Sequence, residues 1–531
     1  MNRLSPIWAL ARAESRLAFR LVRYWVFLVL ATLFGAAQWG QFYLIHHLFS
    51  AGSASAASAN PRYFIGNFGG FLMLIFVVGL IFLAFDVRAR DRRERIDEVV
   101  DTTPVSNLEF VLGRALGILL AVWLPMSLIT LALAGVVWAV GAPIEPVSLA
   151  AFLFLMMIPG FLFSIGLVFL VTIVVRTRLL AAIASAILLT LLFVAGIWWI
   201  PFYLTPLTDM TGGYSVSFPS DLIPSLSTLG GWAQRSGYAL MGLAMLWLTA
   251  AMHPRRDDSR RSRLAAGGAL MLAAGLALCA WQVLDWRSTF RQRESWRAAH
   301  QERAGEPLPS IRAITGEVRI DPGRSLAMQL ELRVTPQGDE PLESALFSLN
   351  PGLTVERVAA DGVEAGFTQE DGLLDVALAS PLVPGTERSL SLSIHGVPDG
   401  DFAYLDAPLD ILTLNPAEAQ IFILGFEPLI FDRRYVALMP GSRWLPAAGT
   451  EIGRGPAATR PRDFFDVDLT LTLPDGWRVA GPGRDIGDGG SHRFRPPAPV
   501  PQVALIGARF ESWSTEIDGV KLELLLHPSH A

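Results

Sequence analysis

RIDEVVDTTPVSN, Arg95–Asn107, is a polar stretch rich in carboxylates, set between two apolar runs, Phe64–Phe85 and Ala115–Val140. Each run is long enough to cross a hydrocarbon core, so the polar stretch reads as a loop of a membrane bundle. The wider balance agrees. Of 531 residues, 52% are hydrophobic and 17% charged, with a mean hydropathy of +0.42, which is too apolar for a soluble domain of this length. Runs of span length recur up to Leu284 and then stop, which divides the chain into at least two domains.

Working outward from the loop, the spans are Tyr24–Leu44, Phe64–Phe85, Ala115–Val140, Val147–Val175, Leu179–Ile200, Trp232–Met252 and Leu264–Leu284. The sixth is the weakest, because Arg235 interrupts it. With seven spans, the arginines of segments 1–23, 86–114, 176–178 and 255–263 all fall on one side, and only Arg62 and Arg235 lie on the other. The positive-inside rule then puts the amino terminus in the cytoplasm and everything after Leu284 outside. Ahead of the first span, Arg12, Arg16, Arg20 and Arg23 share a helical stripe opposite Ile7, Leu10, Leu17 and Leu21, with Ser5 and Pro6 as N-cap and first residue. Residues 1–23 are therefore expected to form an amphipathic helix in the inner interface. AGSASAASA, Ala51–Ala59, offers signal-peptidase-like small residues, but the run before it is too long for a signal h-region and reads as an uncleaved anchor.

Several chemistries are excluded or unsupported. The only lysine is Lys521, so no Walker A loop is present. The single cysteine, Cys279, forms no intrachain disulfide, and the net charge of -5 gives no sign of a nucleic-acid partner. Within the spans, Pro125 and Pro159 are candidate kinks, and Asn67 and Gln282 are the main polar side chains, read as helix-packing residues. Buried charges that would mark an ion pathway are not expected there.

In the opening loop, Ile96, Val99 and Val100 make a small apolar helical face ringed by Asp97, Glu98 and Asp101. Pro104 ends that helix, and Ser106 with Glu109 forms a capping box that starts the next. Acid/base chemistry lacks a histidine or metal partner here. A docking knob for another protein fits the pattern, and a solvated loop that sets topology is the plainer alternative.

These features resemble the permeases of type-2 ABC exporters: an interfacial helix, six spans, and a polar connection, D-x-x-R…R-I-D-E-V-V-D-T-T-P-V-S-N, between spans two and three. The likeness covers about residues 1–262. It implies that Ile96, Asp97, Glu98, Val99, Val100 and Asp101 form a coupling helix for a separate ATP-binding subunit, with ATP bound on that partner and no cofactor in this chain. It also implies a homodimer or paired permease in the lipid bilayer. On this reading residues 24–262 are the permease domain, 263–286 a seventh span that the six-span permeases lack, and 287–310 a charged, then Gly/Pro-broken stalk and linker.

From Ile311 the apolar period changes to two. Met328, Leu330, Leu332 and Val334 alternate with Gln329, Glu331 and Arg333, and the same pattern recurs at Leu390–Ile394 and Val467–Leu473. Asp-Gly pairs at Asp361, Asp371, Asp399, Asp475, Asp488 and Asp518 are hairpin signals. Residues 311–531 are thus expected to be an all-β, sandwich-like periplasmic domain behind a polytopic α-helical membrane domain. LFSLNPGLTVERVAADG (Leu346–Gly362), VALMPGSRWLPAAG (Val436–Gly449), DFFDVDLTLTLPDGWRVAGPG (Asp463–Gly483) and VALIGARFESW (Val503–Trp513) resemble the amino-terminal β-domain of zinc aminopeptidases related to aminopeptidase N. The whole chain resembles the front part of bacterial fusions of an ABC permease with such a peptidase.

That family's zinc chemistry needs H-E-x-x-H, and none of the histidines (His46, His47, His253, His300, His395, His492, His527, His530) begins one. HPSH at His527 and His530 contains a proline and reads as no metal site. Zinc is expected only with a further catalytic domain, and this chain is not expected to be an enzyme by itself. The leading expectation is a bacterial inner-membrane permease subunit with a non-catalytic periplasmic domain. The alternatives are the anchor and β-domain of a truncated or split zinc aminopeptidase, and a membrane sensor or scaffold.

Overall fold

An apolar run in lipid must close its backbone hydrogen bonds on itself, and each of the seven expected runs falls in helix. The computed structural model describes residues 4–50, 61–87, 90, 102–139, 146–175, 177–212, 229–255, 260–403, 405, 429–452, 463–487 and 491–526. The helices are α1 (Leu4–Phe19), α2 (Val22–Ser50), α3 (Pro61–Ala84), α4 (Asn107–Ala139), α5 (Pro146–Ala150), α6 (Met157–Val174), α7 (Arg178–Trp198), α8 (Leu229–Met252) and α9 (Arg261–Glu302). A π-helical segment, Ala151–Met156, joins α5 to α6. Among the described residues, Asn107–Val136, Ala151–Val174, Arg178–Ala195 and Arg261–Glu302 are long and apolar enough to cross a membrane, and Pro6–Phe19 with Val22–Ala37, bent by 76°, makes a fifth candidate. The chain divides into two units, with the main boundary between Arg287 and Ser288.

In the first unit, glycines let helices meet backbone to backbone. A Cβ on Gly166 would lie 2.4 Å from the Gly242 carbonyl oxygen, and one on Gly237 would lie 2.7 Å from that of Gly275, so α8 sits tightly between α6 and α9. The same device seats α1 on α4. Cβ atoms at Gly113 and Gly117 would come 2.6 Å from the Cβ atoms of Leu10 and Glu14. The break between α1 and α2 falls at Arg20–Leu21, slightly before the expected boundary at Arg23. The buried stripe of α1 is Ala11, Glu14 and Ala18, with Ile7, Leu10 and Leu17 only half-buried. Small residues win that face because it meets glycines.

The second unit is β-rich. Strands β1 (Pro309–Asp321), β2 (Ser325–Pro336), β3 (Leu342–Ser348), β4 (Leu353–Ala360), β5 (Val363–Glu364), β6 (Phe367–Glu370), β7 (Leu373–Leu382) and β8 (Arg388–Gly396) are followed by shorter ones to Leu526. A seven-stranded sheet runs Ser491–Phe494, Asp466–Thr472, β1, β2, β8, β4, β5, and β1 lies parallel to Asp466–Thr472. The alternating residues pair across strands: Met328 faces Ile394, Leu330 faces Leu392 and Leu332 faces Leu390, all buried. At Asp361-Gly362, Asp371-Gly372 and Asp518-Gly519 both residues have positive φ, as a type I′ hairpin turn requires. The signals at Asp399 and Asp475 build other turns, and Asp488 lies outside the described residues.

The expected stalk differs. Residues 288–302 continue α9 and belong to the second unit, because Arg293, Trp296 and His300 recur on one helical face and are buried there. Arg293 Nη1 donates to the carbonyls of Asp401 (2.6 Å) and Ala403 (2.7 Å), and Trp296 packs edge-on against Phe402 at 5.3 Å. The Glu451 amide donates to His300 Nδ1 (3.0 Å), while Nε2 lies 3.1 Å from the Asp371 carbonyl. His300 is therefore the neutral tautomer protonated at Nε2.

Candidate functional site

The expected coupling residues Ile96, Asp97, Glu98, Val99, Val100 and Asp101 lie outside the described residues. What the structure does describe is the frame on either side of them. On the α4 side the expected capping box forms: the Ser106 amide donates to Glu109 Oε2 (2.9 Å), and the Glu109 amide donates to Ser106 Oγ (3.2 Å). Arg255, from the connection between α8 and α9, donates to the carbonyls of Val105 (2.6 Å) and Thr103 (2.9 Å), and Asn107 Nδ2 donates back to the Arg255 carbonyl (3.0 Å). The chain after Pro104 is thus tied to a segment about 150 residues away.

On the α3 side, Arg90 Nη2 reaches both carboxylate oxygens of Glu14, at 2.6 and 2.8 Å, and Arg114 Nη1 lies 3.3 Å from Glu14 Oε2. All three side chains are buried. Glu14 on α1 therefore joins the chain beyond α3, at Arg90, to the start of α4. A buried carboxylate needs such partners, since desolvation would otherwise neutralise it. Nothing in the sequence pattern of α1 singled out Glu14 among its arginines. The spacing Gly113-x-x-x-Gly117 was the available signal, because it marks the face of α4 that admits another helix.

Sequence reasoning also missed a buried charge. Arg235 on α8 is 1% exposed, although the spans were expected to lack such groups. Its Nε donates to the Leu155 carbonyl (3.1 Å) and Nη2 to those of Met156 (2.9 Å) and Met210 (3.1 Å). Nη1 reaches the Asp209 carbonyl (3.2 Å) and Gln234 Oε1 (3.4 Å). Leu155 and Met156 belong to the π-helical segment, whose widened turn shifts the ordinary carbonyl pairing. The other two carbonyls, of Asp209 and Met210, come from the turn after the 3₁₀ helix Phe202–Leu207, which Gly212 (φ +81°) lets close over the guanidinium. Arg235 thereby joins three segments. Gln282 is buried in α9 and Gln234 donates to the carbonyls of Pro206 and Asp209.

Among the described residues no group of three His, Cys, Asp or Glu is gathered as for a metal, and His527 and His530 lie outside them. Residues 47–250 match the family described as ABC-2 family transporter protein. The chain is also similar to solved structures of peptidases. The M1 zinc metallopeptidase from Deinococcus radiodurans is 21% identical over 40% of this chain and 45% of that chain, with a TM-score of 0.30. The same enzyme's substrate-bound mutant with Tyr-Ser-Ala is 19% identical over 42% and 48%, also at 0.30. Native yeast LTA4 hydrolase is 13% identical over 39% and 30%, at 0.27. The chain thus spans less than half the length of these structures. No curated protein matches it.

Proposed function

We propose that the chain is a membrane-spanning permease subunit of an ABC-type transporter, driven by a separate ATP-binding subunit that docks on Ile96–Asp101. The observation that carries this reading is the ABC-2 family match, which spans residues 47–250 and so contains the loop. The frame suits a lever. Glu14 with Arg90 and Arg114 holds one root of the loop, and Arg255 with the Ser106–Glu109 box holds the other. A push on the loop would then pass to α1, α3, α4 and the α8–α9 connection together. In this reading the arginine-rich segments face the cytoplasm of a bacterial inner membrane, seven spans carry the chain outward, and the β-rich unit is periplasmic and non-catalytic. ATP is the partner's, and two permease copies pair.

The test is co-purification of the ATPase with the full chain, wild type against Asp97→Arg, Glu98→Arg, Asp101→Arg together. Loss of the ATPase with retained folding is the expected result. Association unchanged by the triple reversal overturns the docking assignment.

A further inference from the structure

We infer that the groove between α2, α3 and α4 binds one anionic phospholipid, its phosphate at Arg23 and Arg178 and an acyl chain along Phe27, Leu28, Phe76 and Phe82. The groove, about 350 Å³ of space including its open side, is lined by these apolar side chains with Tyr24, Gly79, Leu83 and Val122, and Arg23 stands at its rim. Tyr24 closes the inner wall, its hydroxyl donating to the Ala121 carbonyl at 3.1 Å. The Phe27 ring lies over Gly79, where a Cβ would come within 2.5 Å of it. On the outside, Val26, Val29, Leu30, Val78 and Phe82 are exposed, as suits helix surfaces that face acyl chains.

The rim carries the specificity. Arg23 and Arg178 share a single carboxylate, Asp86, at 3.5 and 3.7 Å, well beyond the ~2.8 Å of a direct charge-assisted bond. Among the described residues two positive groups meet one negative, and Arg178 is 63% exposed. An apolar groove alone would take any lipid tail, and the arginines alone would take any small anion. A ligand with a negative head joined to a hydrocarbon tail satisfies both ends. The position at the root of α2, where the chain bends out of α1, also suits the headgroup level of a bilayer. This inference needs the chain to lie in a membrane but not the docking of an ATPase, so either can fail alone.

The experiment is native mass spectrometry of the purified full chain titrated with phosphatidylglycerol or phosphatidylcholine. One phosphatidylglycerol is expected to remain bound where phosphatidylcholine is lost. Arg23→Ala with Arg178→Ala is expected to weaken retention by about 25-fold, about fivefold for each arginine near an anionic surface, and the double lysine variant is expected to restore most of it. Equal retention of the two lipids, or no change in the double alanine variant, overturns the proposal. As a check that survives misfolding of that variant, photoreactive benzoylphenylalanine in place of Phe82 in intact membranes is expected to crosslink a phospholipid. Crosslinking only to another protein chain overturns it.

Discussion

A guanidinium carries five N–H groups in a fixed fork, and Arg235 aims them at five acceptors, four of them backbone carbonyls. Such a set is invisible in sequence, because carbonyls carry no residue identity and two come from a π-helical turn. Lysine offers three donors from a single nitrogen and cannot span the same fork. Arg235→Lys is therefore expected to destabilise the membrane unit by about 2–4 kcal/mol, from at least two carbonyls left dry. Arg235→Met, which removes every one of these donors and leaves only the Asp209 carbonyl with its bond from Gln234, is expected to cost more. Thermal unfolding in detergent ranks the two, and a methionine variant as stable as wild type would refute the account. His300 gives a pH-dependent counterpart in the second unit. Burial lowers its pKa, opposed without reversal by Glu451 and the Asp371 carbonyl. Burial alone would raise the Glu451 carboxyl, but Arg443, the hydrogen bonds from Arg443 and Ser348, and nearby His300 hold it below its ordinary value. Both groups bind protons more readily when unfolded, so stability falls on acidification, first below about pH 6.5 through His300 and then below about pH 4.5 through Glu451. Thermal melts of His300→Gln from pH 7.5 to 5.5 should show a flatter slope than wild type, and an equal slope would remove His300 as the cause.

Among the elements, α1 and α4 show how glycine spacing decides a contact that hydrophobic periodicity reads only in part. Periodicity put Ile7, Leu10 and Leu17 on the apolar side, yet the closest approach runs from Ile7 and Leu10 over Gly113 to Ala11 and Glu14 over Gly117, and the residues fully buried are Ala11, Glu14 and Ala18. Ser15 adds a hydrogen bond to the Gly117 carbonyl at 2.9 Å, which only a close crossing allows. Gly117→Leu is expected to lever α1 away, because even a Cβ would lie 2.7 Å from the Ala11 carbonyl. A cysteine placed at Ala18, 3% exposed, should then react with a maleimide that does not reach it in the parent, against the low background of buried Cys279. Continued protection of that cysteine would mean that α1 does not depend on the glycine face. The helices themselves were legible because a span is a local property of some 20 residues. The β-hairpins were legible where Asp-Gly supplies two positive φ angles in a row. The parallel pairing of β1 with Asp466–Thr472 was not, since it joins strands about 150 residues apart with no turn between them to read.

At the scale of the whole chain, each unit has its own buried apolar core, one built on α1–α9 and one on the β-strands. Each should then unfold as its own cooperative event. The charged composition of 287–310 reads as a linker, but three buried side chains on one face outweigh it: Arg293, Trp296 and His300 complete the β-unit, with Phe402 and Leu405 packed against the tryptophan side. A fragment from Ser288 to the end is accordingly expected to fold and to melt at the temperature of the corresponding transition in the full chain. One that starts at Ile311 loses Trp296, the Arg293 bonds to Asp401 and Ala403, and the His300 link to Glu451. Losing the buried tryptophan alone costs about 3–5 kcal/mol, so the shorter fragment should melt far lower and bind a dye for exposed apolar surface around Phe402. Equal melting of the two fragments would show that the helical turns after Arg287 are an appendage, and that the β-unit begins where the alternating pattern does.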